Sequence, residues 1–186
     1  MNAAGDAPAS GSAMGRVWAG WRLAPMEGRS AEGQPATRPL RAEPGLSLFE
    51  TIDRSGLPDA ETYVLWRGRL SFALLNVYPY TSGHLMVLPR RAVAELEDLE
   101  PDEQAELWDA VRAAVVAVKA AFRPDGMNVG LNLGTAGGGS VPEHLHVHVV
   151  PRWSSDTNFM TALAEVRVLP QALSETWSRL RSAWPR

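Results

Sequence analysis

The chain of 186 residues carries a net charge of −3 and no cysteine. That length suits one domain with a modest tail, and the missing cysteines exclude disulfides, thiol catalysis and any cysteine-based zinc site. Without a basic excess, a broad nucleic-acid-binding surface is not expected, whereas a small pocket for a phosphorylated metabolite remains open. Hydrophobic residues make up 45% and charged residues 21%, the balance of an ordinary soluble globular domain. No apolar run reaches membrane-spanning length, and the start lacks the charged and apolar regions of a signal peptide. The expected compartment is the cytoplasm, which the lack of cysteine suits.

In chain order, residues 1–15 are small, polar and rich in Gly, Pro and Ser, and are expected to be disordered because they cannot bury enough apolar surface. Residues 16–26 carry Trp18, Trp21 and Leu23, enough to dock on a core, and residues 27–45 read as a linker. The 1–45 stretch is thus expected to be a largely disordered extension, with the compact domain at 46–186. Residues 62–66 and 71–76 are β-prone and split by Arg67-Gly68-Arg69, a hairpin signal; residues 84–89 form a further strand after the turn Tyr80-Thr81-Ser82-Gly83. Residues 91–98 have room for one or two helical turns. Pro101 suits a first helical position, and Leu107, Val111, Val115, Val118 and Phe122 make one apolar stripe, which predicts a helix over 101–122. Arg123-Pro124-Asp125-Gly126 stops it. Strands follow at 127–133 and 144–151, separated by a glycine-rich loop at 134–142, and a final helix at 171–184. The order points to an α+β fold with a mainly antiparallel sheet.

Three of the four histidines stand at 144, 146 and 148. On a strand, alternate side chains share a face, so the three imidazoles project together while Leu145, Val147 and Val149 face the core. A solvent-facing row of three groups that titrate near neutrality is a poor packing solution and points to chemistry. Zinc can be held by three histidines, but at ~3.3 Å per residue the outer two lie about 13 Å apart, too far to close on one ion without strain. Such a row suits an extended ligand such as a polyphosphate. Upstream, Ala136-Gly137-Gly138-Gly139-Ser140 offers unobstructed backbone N–H groups and a hydroxyl, the makings of an anion cradle. A neutral imidazole can attack phosphorus directly, provided its Nδ1–H is held and its Nε2 is bare. Trp66 and Trp108 read as core or interface fillers, and Arg90-Arg91 as a solvated charged face.

The segment His144-Leu-His-Val-His-Val-Val150 matches the histidine-triad (HIT) signature, and the resemblance extends over residues 62–153. It includes Leu75-Asn76, the tract Tyr78 to Pro89, Asn128-Val-Gly-Leu-Asn132 and the glycine loop. Within the superfamily the chain looks like the fragile-histidine-triad branch. Pro142-Glu143-His144, Val150-Pro-Arg-Trp153, Asp156-Thr-Asn-Phe159 and Arg16 to Leu23 resemble the actinobacterial diadenosine-tetraphosphate phosphorylase group. The resemblance implies a five-stranded antiparallel sheet with one long helix and a C-terminal helix, assembled as a homodimer or tetramer. It implies that His146 is the nucleophile that becomes adenylylated, that His144 and His148 orient it and contact the α-phosphate, and that His84 supports them or touches phosphate. It further implies that Asn76 binds ribose, and that Asn132 and Ser140 contact the phosphates or leaving group. Gly138, Gly139 and Arg152 complete the candidate binding set.

Many members of the family carry a Cys-x-x-Cys near the domain start as part of a structural zinc site. Here the corresponding stretch is Leu48-Phe49-Glu50-Thr51-Ile52, so no protein-bound metal is expected and apolar packing is expected in its place. No cofactor is implied beyond Mg²⁺ on the substrate's phosphates. Three activities stay open. One is phosphorolysis of diadenosine tetraphosphate to ADP and ATP, with a nucleotide and inorganic phosphate as partners. The second is hydrolysis of dinucleoside polyphosphates, or removal of amines from AMP, through the same intermediate. The third is nucleotide binding without catalysis.

Overall fold

The computed structural model describes residues 40–154, 156 and 171–185. The expectations for residues 1–39, including the docking segment at 16–26, and for Thr157 to Phe159 lie outside them. The described elements are α1 (Leu48–Arg54), α2 (Asp59–Thr62), β1 (Val64–Arg67), β2 (Ser71–Leu75), β3 (Leu85–Pro89), a 3₁₀ turn (Leu96–Asp98), α3 (Pro101–Phe122), β4 (Gly126–Leu131), a second 3₁₀ turn (Thr135–Gly137), β5 (Val147–Arg152) and α4 (Leu173–Ala183).

The five strands form one antiparallel sheet in the order β1-β2-β3-β5-β4. Alternation along the strands sorts their side chains onto two faces. One face carries Leu65, Ala73, Leu75, Leu85, Val87, Val147 and Val149, and packs against Leu107, Val111 and Val118 of α3 and Leu180 of α4. Ala110, Ala114 and Ala117, all buried, let α3 lie close to the sheet. The stripe read from the sequence thus becomes the helix's buried face, with Val115 and Phe122 at its margin. The start of α3 is held by Glu103, which accepts the Glu100 N–H at 3.0 Å and pairs with Arg91 at 2.6 Å. The helix ends at Arg123 in the left-handed region (φ 50°).

The opposite face carries Val64, Phe72, Leu74, Met86 and Leu88, capped by Phe49 and Ile52 of α1 and by Val141. This is the face on which the histidines stand. Helix α1 was not expected from the sequence, although its signal is there. Ser47 accepts the Glu50 N–H at 3.1 Å while Glu50 accepts the Ser47 N–H at 3.0 Å, the reciprocal cap that Ser-x-x-Glu before an apolar run announces. Asp53, with its side chain 2% exposed, anchors α1 by accepting from Arg67 Nε at 3.0 Å and Arg90 Nε at 2.8 Å. Arg90 and Arg91 are therefore both solvated and ion-paired: their side chains reach solvent while Arg90 pairs with Asp53 and Arg91 with Glu103.

The sheet edges differ. The outer carbonyls of β1 are covered from α4: Trp177 Nε1–H donates to Val64 O at 2.8 Å, and Arg181 donates to Leu65 O. Strand β4, the other edge, pairs with no further strand among the described residues, and Val129 is 43% exposed. Among the described residues no helix is long and apolar enough to cross a membrane.

Candidate active site

Strand β5 begins at Val147, three residues later than alternation alone predicts, because its ladder with β3 opens at the pair Val87↔Val147. His144 and His146 therefore lie in the approach to the strand, where His144 N–H closes a turn on Val141 O at 3.2 Å and Leu145 N–H donates to Val93 O at 2.6 Å instead of to a neighbouring strand. The alternation persists, with Leu145, Val147 and Val149 in the core. What changes is the other face. The imidazoles are not a solvent-facing row: His144 is 0% and His146 5% exposed, both beneath the Phe49 ring, whose centroid lies 5.5 Å and 5.3 Å from theirs.

Both ring nitrogens of His144 are engaged within the protein. Nε2 lies 2.8 Å from Pro89 O and Nδ1 lies 2.6 Å from Ser47 Oγ. A carbonyl only accepts, so Nε2 carries the proton and donates it, and Ser47 O–H donates to Nδ1. Burial pushes the His144 pKa down, which favours the neutral ring these bonds require. Its side chain is therefore not placed to contact an α-phosphate, and its backbone carbonyl is the part that reaches the next histidine. His146 Nδ1 lies 2.8 Å from His144 O, so Nδ1 carries the proton and Nε2 presents a bare lone pair. No described residue is hydrogen-bonded to that Nε2. Burial lowers the His146 pKa as well, keeping the ring neutral and ready for attack.

A second relay sets His148. Tyr80 N–H donates to His84 Nδ1 at 3.0 Å, so His84 Nε2 carries the proton and donates to His148 Nδ1 at 2.9 Å. In the neutral ring His148 then has its proton on Nε2, and it packs edge-to-face with His146, ring centroids 4.9 Å apart. The Tyr80 ring stacks on His84 at 4.7 Å. The two histidines at the centre of the site thus have opposite tautomers, each traceable to a backbone group: His146 is a nucleophile in form and His148 a donor in form.

Of the remaining candidates, Asn76 lies beside His84, with Nδ2 3.5 Å from its Nε2, and its Oδ1 accepts the Tyr78 N–H at 2.9 Å. The glycine loop folds back on Asn132: a Cβ at Gly137 would lie 3.3 Å from the Asn132 carbonyl carbon. Within the loop, Gly137 N–H closes on Gly134 O and Gly138 N–H on Thr135 O, each at 3.2 Å. Those two amides serve the turn. Gly139 and the exposed Ser140 follow them at the loop's exit, and no described residue is hydrogen-bonded to either. Arg152 is not brought to the histidines. Two strand steps beyond His148, it is clamped by both carboxylate oxygens of Asp156, at 2.5 Å and 2.7 Å, and by Asn128 Oδ1 at 2.9 Å.

The place of a family zinc site is occupied differently from the expected apolar packing. Phe49 does pack there, but beside it Ser47 bonds both Glu50 and His144, so the position is polar and hydrogen-bonded. Among the described residues no group of three or more His, Asp or Glu side chains is arranged to hold a metal ion. With both His144 nitrogens occupied, the residues present do not fit a tetrahedral zinc. Ser47, Phe49 and the Tyr80 amide are the site residues that the sequence reading missed. The Ser-x-x-Glu cap was the available signal for the first two, and nothing in the sequence marks a backbone donor.

The HIT domain family model matches residues 58–155. The AP-4-A phosphorylase of Mycobacterium tuberculosis is 44% identical over 171 residues, which is 92% of this chain and 85% of that protein. The asymmetrical bis(5'-nucleosyl)-tetraphosphatase of Schizosaccharomyces pombe is 39% identical over 93 residues, half of each chain. Among solved structures, a Zn-bound histidine triad family protein from Mycobacterium smegmatis superposes with a TM-score of 0.60 at 27% identity, covering 74% of this chain and 91% of that one.

Proposed function

This chain belongs to the HIT family, and from that footing we propose that it is a nucleotidyl transferase that splits diadenosine tetraphosphate with inorganic phosphate into ADP and ATP. The observation that carries the reading is the state of His146: buried, neutral, its Nδ1–H held by a carbonyl and its Nε2 lone pair without a partner among the described residues. Identity of 44% to a phosphorylase over most of both chains supports the choice of acceptor.

In this mechanism Nε2 of His146 attacks the α-phosphorus, the bond from that phosphorus to the bridging oxygen breaks, and ATP leaves with the electron pair. Phosphate then attacks the adenylyl-histidine, the P–N bond breaks, and ADP leaves while His146 regains its lone pair. The carbonyl of His144 stabilises the imidazole as it gains positive character, and the Nε2–H of His148 is the donor for a phosphoryl oxygen. Asn76 is assigned to the ribose. Asn132, Gly139 and Ser140 are assigned to the phosphate chain, with Gly138 shaping their turn and Arg152 acting at most at long range. No resident metal takes part; Mg²⁺ arrives on the substrate's phosphates. The β4 edge, unpaired among the described residues, with Val129 on it and Leu133 just beyond it exposed, supports assembly with a second copy, and the cytoplasm is the compartment in which such nucleotides are met.

The hydrolytic alternative has its own support, since relatives matched over about half of this chain are named as polyphosphate hydrolases. Product analysis on diadenosine tetraphosphate in millimolar phosphate separates the two. Equal ADP and ATP is the expected result; AMP with ATP at a rate indifferent to phosphate would establish a hydrolase.

A further inference from the structure

The contact between helix α1 and the first triad histidine is more than packing. We infer that Ser47 is a positioning residue for the reaction: its hydroxyl holds the His144 ring, and through the His144 carbonyl sets the place of the His146 nucleophile. The inference deepens the function proposed above and rests on it for the chemistry, but not for the geometry.

Every atom around Ser47 has one compatible role. Pro89 O can only accept, so His144 donates from Nε2 (2.8 Å). In a fully buried neutral ring Nδ1 is then bare, and Ser47 Oγ, 2.6 Å away, must donate to it. The same oxygen still has a lone pair for the Glu50 N–H (3.1 Å), and Glu50 returns a bond to the Ser47 N–H (3.0 Å). The hydroxyl is therefore at once the cap of α1 and a tie across 97 residues of chain. The next residues of α1 bring Phe49 against both the His144 and His146 rings. His146 is two residues from His144 and hangs from its carbonyl at 2.8 Å. A His144 ring released from Ser47 turns in its slot, and the peptide carrying that carbonyl turns with it. Ser47 is 5% exposed and its O–H is committed to His144, so it has no proton to offer a substrate.

The test uses the full chain with Ser47→Gly, Ser47→Ala and Ser47→Thr. Glycine is an acceptable helix cap, so it removes the donor while sparing α1; alanine removes both; threonine keeps both functions. The first readout needs no substrate: ¹⁵N and ¹H NMR of the histidine rings. Ser47→Gly is expected to move the His144 Nδ1 resonance to that of a bare nitrogen without a donor and to shift or broaden the Nδ1 proton of His146. The second readout is single-turnover adenylylation by diadenosine tetraphosphate. There the rate is expected to fall roughly ten- to a hundredfold, the scale of a small misplacement of a reacting group, with KM unchanged and with recovery in Ser47→Thr. An unmoved His146 Nδ1 proton in Ser47→Gly overturns the inference, whatever the substrate proves to be. So does a wild-type adenylylation rate in that variant. A wild-type protein inert toward diadenosine tetraphosphate would count against the proposed function, and the ring resonances would still decide the role of Ser47.

Discussion

Replacing His84 by alanine tests whether the state of His148 is set from outside the triad. His84 is 1% exposed and makes two bonds that matter, accepting the Tyr80 N–H at 3.0 Å and donating to His148 Nδ1 at 2.9 Å. Its loss strands a part-buried acceptor and a part-buried amide donor, each costing at most about 1–3 kcal/mol, and leaves a cavity under the Tyr80 ring. The catalytic cost is separable. Without the donor at Nδ1, His148 is free to move its proton there, and its Nε2 can no longer donate to an anionic phosphoryl oxygen. A hydrogen bond to a charged group contributes about 1.5–3 kcal/mol. At about 1.4 kcal/mol per decade this is roughly a ten- to hundred-and-fiftyfold loss in adenylylation rate. Rapid-quench measurement of the first turnover, beside thermal unfolding, reads the two costs apart. His84→Gln, whose amide can accept from Tyr80 and donate to His148, is expected to recover most of the rate. An alanine variant that adenylylates at the wild-type rate would refute the relay.

Three further outcomes follow from the same geometry. Asp53→Ala removes the nearly buried carboxylate between Arg67 and Arg90. It should cost about 2–3 kcal/mol, below the range for fully buried pairs because both arginines reach solvent, and lower the melting temperature by roughly 5–10 °C; an unchanged melting temperature would show these pairs to be worth no more than surface pairs. Burial holds His144 and His146 below the ordinary 6.5. Between their folded values and 6.5 the unfolded chain binds more protons, so their contribution to stability is complete above 6.5 and is lost as pH falls below it. The acid limb of adenylylation should likewise lie below 6.5, and a limb at or above it contradicts a buried neutral nucleophile. Chelator-treated enzyme should turn over at the untreated rate when Mg²⁺ is supplied only with substrate; a requirement for stoichiometric zinc would contradict the reading of the Ser47–Glu50–His144 set.

What the sequence made legible is what periodicity and punctuation carry. Helix α3 announced itself through Pro101 and a stripe from Leu107 to Phe122, and the hairpin through Arg67-Gly68-Arg69. The imidazole grouping announced itself through strict alternation. Helix α1 did not, because seven residues with apolar positions at 48, 49 and 52 read equally well as a strand or a loop, and only the cap distinguishes them. The burial of His144 and His146 was illegible for the same reason, since the cover is Phe49 from that helix. Arg152 looked available to a phosphate because its partners, Asn128 and Asp156, meet it only across the sheet and a turn. The tautomers of His84 and His148 depend on a backbone amide, which no side-chain pattern records.

The central claim, a covalent bond between substrate phosphorus and His146 Nε2, is tested most directly by trapping it. Protein mixed with diadenosine tetraphosphate without phosphate, quenched within the first turnover and mapped by mass spectrometry, should carry a single AMP on His146. ATP should be released in equal amount, and the adduct should vanish, yielding ADP, when phosphate is added before the quench. An adduct on another histidine would contradict the account, as would turnover by His146→Ala at a tenth or more of the wild-type rate.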